Sequence, residues 1–229
     1  FFTSAVDFTL LAGCPSFHGK ISLHVCNILK HPFFDERHHT CDNKTFSSNK
    51  NITYMLSESD IIHTLKTHFP EQIGDDAAAI PLTSTTQYLI SKDLLVEDTH
   101  FRLRYHDASS LAHKALHVNL SDLAAMGATP QFVMLGLSIP PHFEQQTPEF
   151  LDAFSNACKA ASVILIGGDT TRSEQQLLLS ITAIGTANTS NIKFRCNTKP
   201  GDLLCIAGSP GNAHLGLIAL EHNKPDLLD

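Results

Sequence analysis

Four acidic stations in this 229-residue chain stand where folded chains tend to present functional groups. Asp75-Asp76 follows Ile73-Gly74 in a turn, and Asp93 ends the strand-like run that carries Ser91. Asp122 lies inside an otherwise apolar helical stretch, one turn from Asn119, and Asp169 follows the pair Gly167-Gly168. The helical carboxylate is the most informative, because near a buried face it needs a partner or a metal; burying it alone is too costly. Taken singly, each carboxylate is better read as capping a neighbouring loop or pairing with a lysine. Together they are expected to offer hard oxygen ligands converging on Mg2+. Such oxygen-only ligation suits phosphoryl transfer, in which metal ions bridge phosphate oxygens and offset developing charge.

The usual phosphate-handling signatures are missing. The sequence has no GxxxxGK[ST] loop, no HRD or DFG set and no GxSxG elbow. Gly167-Gly168 permits close approach of backbone to a ligand, but a tight turn would need glycine for the same steric reason.

Composition narrows the partners. With 16 basic and 23 acidic side chains the formal charge is -7, and no cluster of Lys and Arg is present to neutralise a nucleic-acid backbone. An anionic ligand would then need bound divalent cations, which the acidic residues could hold. Hydrophobic residues at 42% and charged residues at 17% are the balance of a soluble globular protein. The six cysteines, at 14, 26, 41, 158, 196 and 205, form no CxxC pair and are expected to be reduced cytosolic thiols. No apolar run reaches the roughly 18 to 20 residues that cross a bilayer, so a cytoplasmic protein without membrane or nucleic-acid partners is expected. Leu11-Ala12-Gly13-Cys14 has the form of a lipoprotein cleavage box, but Asp7 interrupts the apolar run before it and no basic region precedes it. Coincidence is the expected reading. His38, His39 and Cys41 could ligate a metal but lack a fourth partner at a sensible spacing.

The elements that would position the acidic stations can be read from Ser57 onward. Residues 1–54, with scattered Phe, His and Cys, form an atypical extension expected to be poorly ordered. Ser57 and Asp60 make a capping box for a helix carrying Ile61, Ile62, Leu65 and Phe69, which Pro70 ends. Residues 88–91 read as a buried strand, and 109–126 as a helix closed by Gly127 and Pro130. Residues 132–139 are a strand stopped by Pro140-Pro141, and Thr147-Pro148-Glu149 starts another helix. Val163 to Ile166 is a short strand ending in Gly167-Gly168-Asp169, and Leu177 to Thr186 is a further strand. Residues 188–198 are a polar linker, and Lys199-Pro200-Gly201-Asp202 turns into a strand over 203–207. Strands and helices alternate irregularly, which predicts an α+β fold: a two-layer sandwich with a mixed sheet covered by helices on one face.

The motifs also carry a resemblance. Ile73-Gly74-Asp75-Asp76-Ala77-Ala78 resembles the opening acidic motif of thiamine-monophosphate kinases. The run Ser91 to Phe101 is similar to their STDTLVEGVHF segment, and His113 to Ala128 to KALAVNLSDLAAMGA. Residues Leu165 to Arg172 match LIGGDTTRG, and Lys199 to Asp202 match KPGD. Order and spacing agree from about residue 57 to 220.

The resemblance implies the fold of the aminoimidazole ribonucleotide synthetases. Residues 55–190 would be an N-terminal domain that binds ATP and Mg2+ and forms a homodimer by joining sheets; 198–229 would begin an α/β C-terminal domain. It implies transfer of the γ-phosphate of ATP onto thiamine monophosphate, giving thiamine diphosphate directly, with no phosphoenzyme. By position, Asp76, Ser91, Asp93, Asp122 and Asp169 would hold Mg2+. His100 would contact the thiamine phosphate, and Gly168, Asp169 and Arg195 would belong to the ATP site; a guanidinium suits phosphate oxygens as a fixed fork of donors. Lys92 stands where the family has Thr, and Pro210-Gly211-Asn212-Ala213 replaces PGDS. The family's later DLSDGL and GGEDYEL motifs have no counterpart, so the chain is expected to be truncated relative to it. The alternatives are an inactive dimerising remnant that binds Mg2+ or nucleotide, and another superfamily member such as a selenophosphate synthetase.

Overall fold

A computed structural model describes residues 57–70, 73–203, 205–206 and 208–224. They fall into two compact units, 57–74 and 75–224. Cys14, Cys26, the Leu11–Cys14 box and the His38, His39, Cys41 group lie outside the described residues.

The smaller unit holds α1 (Glu58–His68). Ser57 and Asp60 close the expected capping box: the Asp60 N–H donates to Ser57 Oγ at 3.2 Å, and the Ser57 N–H donates to Asp60 Oδ2 at 3.0 Å. Two donors that the first helical turn leaves unpaired are thereby satisfied.

The larger unit is a five-stranded mixed sheet with two helices on one face. Its strands are β1 (Ala78–Pro81), β2 (Thr86–Val96), β3 (Thr129–Ile139), β4 (Ile164–Arg172) and β5 (Leu178–Asn188), in the order β1-β2-β5-β3-β4. Every pairing is antiparallel except β3 with β4, which α3 (Thr147–Ala160) joins by a crossover. α2 (Ala108–Ala125) links β2 to β3, and α4 (Asn212–Glu221) ends the described chain.

Alternation along the strands decides which face is covered. Leu89, Ser91 and Leu95 of β2, Val133, Leu135 and Leu137 of β3, and Leu179, Ile181 and Ala183 of β5 are buried. Against them pack Leu111, Leu116 and Leu123 of α2 with Phe150 and Phe154 of α3. Each such side chain, fully withdrawn from water, contributes about 1.5–3 kcal/mol, so this layer holds the unit together. The intervening residues of β2, among them Lys92 and Leu94, lie on the open face of the sheet, and both are exposed. Lys92 donates there to Ser180 Oγ at 2.7 Å and Thr182 Oγ1 at 3.4 Å. It therefore sits across the sheet from Ser91 and Asp93.

The predicted α+β sandwich is the fold observed, with local differences. β2 is longer than residues 88–91 because β5 pairs with it along its whole length, from Thr86↔Asn188 to Val96↔Leu178. β4 does not stop at the glycines but runs through Asp169 to Arg172. α2 begins one residue early because Asp107 caps it, accepting the Ser110 N–H at 2.7 Å. Residues 189–197 contain two short 3-10 turns, and Leu203, Cys205 and Ile206 are not in a strand. The three described cysteines, Cys158, Cys196 and Cys205, are free thiols. Among the described residues no helix is long and apolar enough to cross a membrane.

Candidate functional site

The site assembles where β2 meets α2. Period-two alternation turns Ser91 onto the helix-covered face, and a 3.6-residue period puts Asn119 and Asp122 on the same side of α2. All three are buried. Ser91 Oγ donates to Asp122 Oδ2 at 3.2 Å. Asn119 accepts the Asp93 N–H at 3.2 Å and donates its own amide N–H to Ala115 O at 3.1 Å. The carboxylate expected to need a partner has one in the serine hydroxyl.

The acidic turn comes next. Ala77 is buried, and its N–H points at Met126 Sδ, 2.9 Å away at the end of α2. This contact anchors the residue after Asp76. The stretch after β5 then returns over the same end of the helix. Ile192 is buried, and the Lys193 N–H donates to Met126 O at 3.1 Å. Arg195 is thereby delivered to the turn: its backbone N–H donates to Asp75 Oδ1 at 2.8 Å, and its guanidinium hydrogen-bonds Asp76. The hydrogen bond to Asp76, together with the charges of Asp76, Asp75 and Asp122, raises the guanidinium pKa above its ordinary value.

His100 is held in the turn after β2. The Val96 N–H donates to its Nδ1 at 3.0 Å, so in the neutral ring the proton sits on Nε2 and is available as a donor. Lys114 of α2 donates to His100 O at 2.6 Å, and burial lowers the pKa of that ammonium. Next to His100, Glu97 accepts the Leu177 N–H at 2.9 Å and pairs with His142 at 3.1 Å, which locks the end of β2 to the start of β5.

The structure thus brings Asp76, Ser91, Asp93, Asp122 and Arg195 to one end of α2. It sets Gly168 and Asp169 apart. Asp93 pairs with Ile181, Ile181 with Leu135 and Leu135 with Gly168. Three strand spacings, about 14 Å, therefore separate Asp93 from the glycine pair. Asp169 lines a shallow recess with Leu135, Leu137, Leu151, Gly168 and Thr170. Gly168 has a packing reason to be glycine, since a Cβ there would stand 1.8 Å from Leu135 O. Close strand contact requires it, a reason outside the two that the sequence offered, approach of a ligand and a tight turn.

In kind, the five expected metal ligands suit a hard divalent cation, being oxygen donors throughout. In arrangement they do not: among the described residues, no group of three His, Cys, Asp or Glu side chains comes together as a metal site. Asp76 is turned onto Arg195, and Asp169 is on the outermost strand. Three supporting residues were not among the expected site residues: Asp75, Lys114 and Asn119. Asn119 left a signal in its spacing one turn before Asp122, and Asp75 in its place beside Asp76 in the acidic turn.

Comparison with known proteins places the fold and the sequence. A family described as AIR synthase related protein, N-terminal domain, matches residues 74–187. The chain is 32% identical over 178 residues to the thiamine-monophosphate kinase of Bacillus subtilis (strain 168), covering 74% of this chain and 55% of that protein. It is 40% identical over 150 residues to the thiamine-monophosphate kinase of Escherichia coli (strain K12), covering 66% and 45%. A solved structure of AaThiL complexed with AMPPCP and TMP superposes with a TM-score of 0.69 at 25% identity, covering 78% of this chain and 60% of that one. The chain spans about half the length of the curated relatives it matches. The matched span takes in every acidic position from Asp75 to Asp169, and through it the chain belongs to the AIR synthase related family, as a relative of the thiamine-monophosphate kinases.

Proposed function

We propose that this chain is the N-terminal part of a thiamine-monophosphate kinase, which transfers phosphate from ATP to thiamine monophosphate and releases ADP and thiamine diphosphate. The observation that carries the reading is the buried Ser91–Asp122 pair with Asn119 and Asp93 beside it, inside segments shared with relatives of that name. A solved relative complexed with AMPPCP and TMP supports ATP and thiamine monophosphate as the substrates. A terminal phosphate oxygen of thiamine monophosphate attacks the γ-phosphorus of ATP, and the bond from that phosphorus to the bridging oxygen breaks to leave ADP. No phosphoenzyme is formed.

In this reading His100 offers its Nε2 proton to the phosphate of thiamine monophosphate. Gly168, Asp169 and Arg195 belong to the nucleotide site, with Mg2+ as the cation of the reaction. Its ligands would be Asp76, Ser91, Asp93, Asp122 and Asp169, which would first have to close together. The protein acts as a cytoplasmic homodimer without membrane or nucleic-acid partners. The open face of the sheet, with Ile164 and Ile166 exposed on edge strand β4, is the surface we assign to sheet joining, and the mass of the particle in solution tests it.

A second reading is binding without turnover. The separation of Asp169 from Asp93 and the engagement of Asp76 by Arg195 favour it. One experiment separates the two: ADP release with ATP, Mg2+ and thiamine monophosphate, the product identified by mass. Thiamine diphosphate formed by the purified chain supports the kinase reading. ATP binding with no product supports the second.

A further inference from the structure

The acidic turn already holds a cation, and it belongs to the chain itself. Arg195 reaches Asp75 through its backbone N–H at 2.8 Å and Asp76 through its guanidinium, with Asp122 close enough to act on it electrostatically. The segment carrying it is pinned just upstream by buried Ile192 and by the Lys193 N–H on Met126 O. The Arg195 side chain itself is 56% exposed, while that of Asp76 is only 16% exposed. Its backbone is thus anchored while more than half of its side chain is open to water, so the guanidinium can swing away with the backbone in place.

We propose that Arg195 is a displaceable internal counter-ion, standing on Asp76 in the metal-free protein and leaving it before a divalent cation can bind there. This accounts for the state of Asp76 alone, the remoteness of Asp169 being a matter of strand order. Asp76 faces a guanidinium instead of the other carboxylates, and its charge is neutralised without metal. The inference rests on the part of the proposed function that gives Asp76 to Mg2+. It goes further by making metal binding and movement of Arg195 a single coupled event, with one positive charge exchanged for another.

The test is calorimetric titration of the whole chain with MgCl2 alone, without nucleotide. Arg195→Gln removes the competing charge and should bind Mg2+ about five- to tenfold more tightly than the natural protein, the size expected for losing one nearby positive charge close to water. Arg195→Lys keeps the charge and should bind nearly as weakly as the natural protein. In an Asp76→Asn background, Arg195→Gln should change nothing. Equal or weaker Mg2+ binding by Arg195→Gln would overturn the proposal, as would absence of binding by all variants or a gain that persists without the Asp76 carboxylate. The kinase reading is scored separately, by thiamine diphosphate formation, so either can fail alone.

Discussion

Asn119 and Asp93 are joined by a hydrogen bond that takes the place of a missing strand. β1 pairs with β2 only as far as Ile90, and three residues further on the Asp93 N–H donates to the Asn119 side chain at 3.2 Å. A helix side chain thus completes the ladder at the point where the expected metal ligand Asp93 begins. Asn119→Ala should cost about 1–3 kcal/mol, the range for depriving a buried polar group of its partner. Urea unfolding followed by circular dichroism reads this directly. A loss below about 0.5 kcal/mol would mean that water replaces the amide without cost.

Gly168 gives a sharper prediction. β4 shifts register against β3 between Val133 and Met134, and beyond the shift its backbone lies close against Leu135. A methyl group 1.8 Å from Leu135 O cannot be accommodated without moving a strand. Gly168→Ala should destabilise the protein by about 3 kcal/mol, the upper end of ordinary overpacking. Gly167→Ala should be mild, since the nearest atom to a Cβ there is the flexible Met134 Cε at 4.0 Å. Thermal unfolding of the two variants side by side separates the positions, and equal losses would refute the packing account.

The contrast between these two sites explains how much could be read from sequence. The helix-borne carboxylate was legible because Asp122 interrupts an apolar face, and burial makes such an interruption informative. The capping box of α1 and the α+β class were legible for the same kind of reason, as local chemistry or periodicity. β1 was missed because Ala78-Ala79-Ile80-Pro81 carries no alternation, and only pairing with β2 makes it a strand. β4 was cut short because two glycines read as a turn when pairing to β3 holds them extended.

Long-range placement was the least legible. Arg195 and Asp76 lie 119 residues apart in sequence, and the return of 189–197 over the end of α2 carries no periodic pattern. The distance of Asp169 from Asp93 follows from strand order alone, and the order β1-β2-β5-β3-β4 leaves no trace in either segment. Lys92 was legible as a departure from the family. Its position on the opposite face follows from the two-residue period once β2 is known to run unbroken through it.

Asp98 is a place where the chain differs from the resembling segment to its cost. It stands where STDTLVEGVHF has Gly, and its φ is 64, in the left-handed region. Aspartate tolerates this conformation better than most residues, but still at a cost of about 1 kcal/mol relative to glycine. Asp98→Gly should therefore stabilise the protein by about 0.5 kcal/mol, glycine's greater freedom in the unfolded chain offsetting the other half of the relief. The midpoint of urea unfolding should rise. A fall would indicate that the Asp98 side chain makes a contribution larger than the strain.

His106 sets a pH dependence whose sign is fixed. Burial, with the charge of Lys114 adding to it, holds the His106 pKa below its ordinary value in the folded protein. An unfolded histidine titrates near about 6.5, so as pH falls below that point the unfolded chain takes up a proton that the folded protein still refuses. Its contribution to stability is therefore full above about pH 6.5, declines below it, and levels off once the folded imidazole also protonates. The capping carboxylates Asp60 and Asp107, whose pKa values are lowered by hydrogen bonds from Ser57 and Ser110, act in a more acidic window, below about pH 4. His106→Gln should accordingly flatten the stability profile between pH 7.5 and 5.5 while leaving the acid limb unchanged. Urea midpoints of the two proteins across that range measure it. Parallel profiles would show that His106 does not carry the slope.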